Sequence, residues 1–297
     1  MPPAISTPAV NPSHLHESPS EAAFGVANVV SVVKMLLPSE DDAGMTQPYG
    51  VVFDDGRNAV AKFDHASATF EALAYRLGLL IGLDMPLTVV RRIPGRPQAC
   101  SVQIVVQGQP AAYLSETMER RAHGHPEYHA MAIFDWLVGN TDRHQYNYLY
   151  DAEADRIRVI DNGQMATFFE RRPVYQMRDG LVFAADELGN VDFNLREAPP
   201  SSRIPADFRN AILGAQIDAH AQVIQLYLKH ANFAKAIVAR RKRRVDPNFY
   251  IAFGDDCNAI GDHIVKHYGE RLTTLQHLFG LSRIQTVSDL HAALYRS

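Results

Sequence analysis

Two rhythms of apolar and polar positions divide this chain. Between Val26 and Phe63 the apolar residues come in short, β-branched runs separated by polar turns. Residues 29–37 and 49–53 read as strands, with the polar stretch 39–47 linking them, and Asp54-Asp55-Gly56 makes a hairpin turn into a third strand over 58–63. The period then changes. Phe70, Leu73, Ala74, Leu77 and Leu80 recur at helical spacing across 67–81, and the pattern stops at Gly82, just before Asp84-Met85-Pro86. Residues 87–92, 101–106 and 111–117 read as further strands, the last two joined by a turn at Gly108. Beyond Pro126 the helical period dominates. Met131, Ile133, Phe134, Trp136 and Leu137 fill a helix over 128–138; Ile217, Ala221, Ile224 and Leu228 share one later helix face, and Leu272, Leu275, Leu278 and Phe279 another. Residues 167–207, with Pro173, Pro199 and Pro205, read as a loop-rich stretch that could fold over a site. The fold class predicted is α+β: an antiparallel sheet with one helix, followed by a mostly helical part.

Composition narrows the reading. Of 297 residues, 46% are hydrophobic and 21% charged, enough apolar material for a full core. The first residues, taken here as 1–24, are rich in Pro, Ser and Ala without a hydrophobic period and are expected to form a flexible tail. Such a tail would also suit a secreted bacterial effector. A net charge of −4 argues against nucleic acid as a partner. The basic run Arg240 to Arg244 reads as a solvated helix end, with contact to an anionic membrane lipid as the alternative. Cys100 and Cys257 have no metal-ligand spacing, which points to a reducing, cytoplasmic setting, and no apolar stretch is long enough to span a bilayer. His123, His125 and His129 lie close in sequence, but lacking further ligands they are expected to be a solvated loop and helix start rather than a metal site.

The chemistry is concentrated in Gly139-Asn140-Thr141-Asp142-Arg143-His144-Gln145-Tyr146-Asn147 and in Ile160-Asp161-Asn162-Gly163. Phosphoryl transfer needs a carboxylate beside the attacking hydroxyl and oxygen ligands for magnesium, supplied in kinases as Asp-x4-Asn followed by Asp-x-Gly. Asp142 and Asn147 have that spacing, and Asp161 supplies the third element. Strands over 146–150 and 156–160, turning at 152–155, would bring Asn147 and Asp161 to one end, where their hard oxygen donors suit Mg2+. Arg143 is expected to brace the loop. Upstream, Val60-Ala61-Lys62-Phe63 resembles the strand of the ATP-binding lysine, and Glu71 on the next helix is placed to pair with Lys62.

Together with Gly44-Met45-Thr46-Gln47-Pro48-Tyr49 and Gly82-Leu83-Asp84-Met85-Pro86, these pieces resemble HipA-like kinases, most of all the short single-domain members. The Asn-Thr-Asp-Arg and Ile-Asp-Asn-Gly pieces also resemble phosphatidylinositol 4-kinases of type II. The likeness spans about residues 27–165. It implies a two-lobed, protein-kinase-like fold with an N-lobe over 25–118 and a C-lobe over 119–297. It further implies that Asp142 is catalytic, that His144 touches the γ-phosphate or orients the loop, and that Asn147 and Asp161 bind Mg2+. Lys62, Glu71 and Gln47 would serve ATP, with adenine held by backbone around Glu116 and Met118. The stretch 39–47 departs from the kinase pattern, having one glycine and the acids Glu40, Asp41 and Asp42 instead of a glycine-rich phosphate cradle. The activity implied is ATP-dependent phosphorylation of a protein Ser or Thr hydroxyl, including the chain's own. A phosphatidylinositol or small-molecule kinase and a nucleotide-binding pseudokinase scaffold are the alternatives.

Overall fold

The computed structural model describes residues 19–35, 47–63, 65–140, 143–166, 174–178, 181–185, 202–229 and 257–294. β1 (Val29–Lys34), β2 (Pro48–Phe53), β3 (Asn58–Lys62), β4 (Thr88–Arg92) and β5 (Ala99–Ile104) form one antiparallel sheet in the order β1-β2-β3-β5-β4. Alternation assigns its two faces. Val51 and Phe53 of β2, Ala59 and Ala61 of β3, and Cys100 and Val102 of β5 are buried together in one cluster. Lys62, paired in register with Ser101, therefore faces the other way, toward the helix α2 (His65–Leu80). The outer strand β1 exposes Val30 and Val33, and its register with β2 is broken by an irregularity between Val29 and Ser31.

A short helix, α1 (Pro19–Val26), covers the first face, so the expected tail 1–24 is corrected from residue 19 onward; residues 1–18 lie outside the described residues. The cause is Phe24, fully buried, which meets Phe53 edge-on at 5.1 Å under the Arg57 guanidinium. Arg91 of β4 then ties the helix end down by donating to Phe24 O (2.7 Å) and Ala27 O (2.8 Å).

After β6 (Gln109–Pro110) the strand expected over 111–117 does not form. A 3-10 turn (Ala111–Tyr113) leads instead into α3 (Glu116–His123), capped by Ser115 Oγ accepting from Met118 N–H. Acidic residues in the first turn of α3 and basic ones in its last favour the helix dipole. α4 (Pro126–Val138) is buried continuously from Tyr128 to Val138 and ends at Gly139, whose φ of 63° is the left-handed conformation glycine reaches without strain. β7 (Tyr148–Asp151) and β8 (Arg156–Val159) then form a hairpin that pairs with β6 in a second, three-stranded sheet. In the stretch expected to be loop, β9 (Val174–Arg178) and β10 (Leu181–Ala185) pair as an antiparallel ribbon, and the rest of 167–201 lies outside the described residues. α5 (Ala206–Gly214), α6 (Ile217–Leu228), α7 (Cys257–Gly280) and α8 (Val287–Leu294) complete the described chain.

The large core joins the two parts. Phe70, Leu73 and Leu77 of α2 pack in the same cluster as Phe134 and Leu137 of α4 and Leu272 and Leu275 of α7. Ile224 is buried as its face predicts, but Ile217 stays exposed. The architecture is α+β, an antiparallel sheet followed by a helical region. Among the described residues no helix is long and apolar enough to cross a membrane.

Candidate active site

The loop after α4 is organised by one buried arginine. Arg143 donates through Nε to Asp135 Oδ2 (2.8 Å) and through Nη2 to Asp135 Oδ1 (2.9 Å) and Asn162 Oδ1 (2.5 Å). Its Nη1 reaches Asn147 O and, at 2.6 Å, Ile160 O. Asn140 Nδ2 also donates to Asp135 Oδ1, at 2.9 Å. All these side chains are buried, so the network fixes α4, the loop and the chain after β8 as one unit; the two-point guanidinium–carboxylate contact is the geometry arginine supplies best. Arg143 thus braces the loop as expected. Asp135 and Asn162 were not anticipated.

The network places the predicted residues. Ile160 N–H donates to Asn147 O (3.4 Å), so Asn147 and Asp161 stand at the same end of the β7–β8 hairpin. Asp161 takes a left-handed φ of 53°, unusual for an aspartate and a local strain that the surrounding bonds hold. Lys62 Nζ lies 3.0 Å from Glu71 Oε1 and 2.9 Å from Asp161 Oδ2. Burial works against the Lys62 ammonium, but the Asp161 and Glu71 carboxylates outweigh it and raise its pKa. Burial likewise opposes the Asp161 carboxylate, yet Lys62 foremost, with Arg143 and His144 behind it, pulls its pKa below the usual value. Lys62 and Asp161 are therefore both ionised across the neutral range.

His144 is half-buried, and its Nδ1 accepts from Tyr146 N–H (3.3 Å). Asp142 lies outside the described residues, as do the stretches 39–46 and 240–244. Gln47, expected to serve the nucleotide, here donates to Met35 O (2.7 Å) and Pro48 O (3.0 Å), holding the start of β2. Glu116 and Met118 stand on the capped first turn of α3 rather than on an extended connector: Glu116 is exposed and pairs with Arg120, and Met118 N–H is taken by the cap. The histidines differ from a solvated loop. His125 Nδ1 caps α4 by accepting from Glu127 N–H (3.2 Å), His123 Nε2 lies 3.0 Å from Tyr148 Oη, and His129 is buried without a hydrogen-bond partner among the described residues.

Among the described residues no group of three or more His, Cys, Asp and Glu could enclose a metal ion. The oxygen donors at the hairpin end, the Asp161 carboxylate and the Asn147 carboxamide, fit a magnesium ion, which binds through one or two carboxylate-type donors and completes its shell with phosphates and water.

No family model matches the chain, and no curated protein matches it. Among solved structures it is similar to the Helicobacter pylori proinflammatory kinase CtkA, with 11% identity over 84% of this chain and 98% of that one, at a TM-score of 0.49. It is also similar to the macrolide 2'-phosphotransferase MphH from Brachybacterium faecium, with 12% identity over 84% and 95%, at a TM-score of 0.34. The kinase domain of maize sucrose-induced receptor kinase 1, solved with AMP-PNP, gives 13% identity over 82% and 99%, at a TM-score of 0.30. These likenesses are too distant to transfer a role, and the functional reading rests on the chain's own side chains.

Proposed function

We propose that this chain is an ATP- and Mg2+-dependent phosphotransferase of two-lobed, protein-kinase-like design, divided at residues 118 and 119, that phosphorylates Ser or Thr hydroxyls of a protein. The resemblance to HipA-like kinases suggests that acceptor and suggests that the chain also acts on itself. One observation carries the reading: Lys62 from β3 stands between Glu71 from α2 and Asp161 from the end of the β7–β8 hairpin, at 3.0 and 2.9 Å. Two consecutive elements and a third, 99 residues further along the chain, converge on one ammonium, beside the Asn147 that shares the Asp161 end.

In this reading the nucleotide lies along β3 and β5. Lys62 is registered with Ser101 at one end of that pair, and Ala59 with Ile104 at the other, three residues or about 10 Å away. Phosphates at Lys62 then leave adenine beside the backbone that follows Ile104, in place of the connector around Glu116 and Met118 that the family resemblance implies. Lys62 exchanges its contact with Asp161 for phosphate oxygens while Glu71 keeps it oriented. Asp142 accepts the proton of the acceptor hydroxyl as that oxygen bonds to the γ-phosphorus and ADP leaves. Asn147 and Asp161 would hold magnesium, which when bound neutralises and orients the phosphates.

Incubation with γ-labelled ATP and magnesium tests this. Labelled protein or released phosphate is expected from wild type, with a loss of about 100-fold or more in Asp142→Ala, Lys62→Ala and Asp161→Asn variants that remain folded. Phosphosite mapping of the wild-type product would identify the acceptor side chain. Undiminished turnover in Asp142→Ala, or a wild-type chain that fails to bind ATP, rules the reading out.

A further inference from the structure

A second ionic cluster lies away from the site and links the same two elements. Asp84 follows α2 and precedes β4, and its Oδ2 receives Arg156 Nη2 at 2.9 Å and Arg158 Nη1. Arg156 also reaches Glu127 of α4 at 2.6 Å, and Glu127 accepts Ile157 N–H at 2.7 Å. Arg156 and Arg158 are alternate residues of β8, so both side chains leave one face of the strand whose continuation carries Asp161.

The link from Asp84 to α2 is short and stiff. Gly82 N–H donates to Leu79 O (3.1 Å) and Leu83 N–H to Gly78 O (2.9 Å), closing the helix end in a tight turn with Gly82 at a φ of 78°. Leu83 and Met85 on either side of Asp84 are buried, and Met85 packs so closely on Gly78 that a Cβ there would meet its sulfur at 2.0 Å. Asp84 therefore moves with α2, and Arg156 and Arg158 move with β8. The helix and the strand are joined twice: by Asp84 at one end, and by Glu71, Lys62 and Asp161 at the other.

We propose that Asp84 is a positioning residue: by clamping the end of α2 to the start of β8 it sets the register in which Glu71 and Asp161 meet Lys62. The inference rests on the phosphotransferase reading for its catalytic consequence, but its structural half can be tested without it. Loss of the clamp lets α2 shift against β8, loosening the carboxylates around Lys62 and opening its amine to reagents in solution.

The test measures acetylation of Lys62 by acetic anhydride in the full chain without nucleotide, read by mass spectrometry, beside ATP turnover. Asp84→Asn is expected to raise the Lys62 rate about three-fold, because the amine spends more time outside the grip of the Glu71 and Asp161 carboxylates. It should lower turnover about ten-fold or more, with most of the loss in kcat rather than in the KM for ATP. Asp84→Glu should recover part of both. Glu127→Gln, which breaks the same cluster on the α4 side only, should lower Tm comparably and leave Lys62 labelling and turnover at wild-type levels. If Asp84→Asn does not fold, Arg158→Gln opens the same contact from the strand. Unchanged Lys62 labelling in the Asp84 and Arg158 variants overturns the proposal, as does a Glu127→Gln effect equal to that of Asp84→Asn. A wild-type chain without ATP turnover would instead sink the phosphotransferase reading, leaving the labelling to decide the clamp.

Discussion

At the scale of single residues, Asp135 matters more than its place suggests. Its two oxygens take three hydrogen bonds from Arg143 and Asn140, all buried. Asp135→Ala would remove the carboxylate that grips the Arg143 guanidinium at two points, and removing one partner of a buried pair costs about 3–5 kcal/mol. Urea unfolding is expected to show that loss, with wild-type stability in the variant as the contrary result. The residue was legible in principle. Ala130 to Val138 is otherwise apolar, and a lone carboxylate in such a run calls for a buried cation. Its identity was harder to see, because only the left-handed turn at Gly139 sends the chain back so that Arg143 can reach it. Lys62, Glu71, Asn147 and Asp161 could be picked out because their spacings match a known chemical pattern. The lysine's second partner, Asp161, emerges only from the fold, since 99 residues separate them.

At the scale of elements, what could be read was what is encoded locally. The hairpin at Asp54-Asp55-Gly56, the helix α2 with its Gly82 stop and the β7–β8 hairpin each carry their signal within about 16 residues. α1 does not: its anchors, Arg91 and Phe53, lie 67 and 29 residues from Phe24, and its own sequence has a single aromatic among small residues. α3 carried a local signal that was outweighed by the apolar run Ala111 to Leu114, namely Ser115 as cap, acids in the first turn and Arg120 and Arg121 in the last. The weight of α1 can be measured. Phe24→Ala empties a fully buried ring site and is expected to cost about 3–5 kcal/mol. Thermal melts should fall accordingly, whereas an unchanged Tm would mean that α1 contributes little to the sheet.

At the scale of the whole molecule, burial of histidine ties stability to acidity. His129 and His220 are buried, and desolvation pushes both pKa values down to about 4. The unfolded chain binds those protons near pH 6.5, so between that value and about 4 it holds more protons than the folded one, and stability rises with pH across this window. Each histidine makes the fold weaker by on the order of 3 kcal/mol at the acid end, and this proton-linked cost vanishes above pH 7. Asp161, with its lowered pKa, adds to the loss only below the ordinary carboxylate range. Chemical denaturation at pH 7.5 and pH 5 should therefore differ, and His129→Phe should flatten the slope; equal stabilities would contradict it. The outer strand has a consequence of another kind. With Val30 and Val33 turned to water, protection against ribbon-to-ribbon stacking comes, among the described residues, from the kink beside Val29 and the charge of Lys34, so straightening that irregular step would leave a six-residue strand open to a second copy.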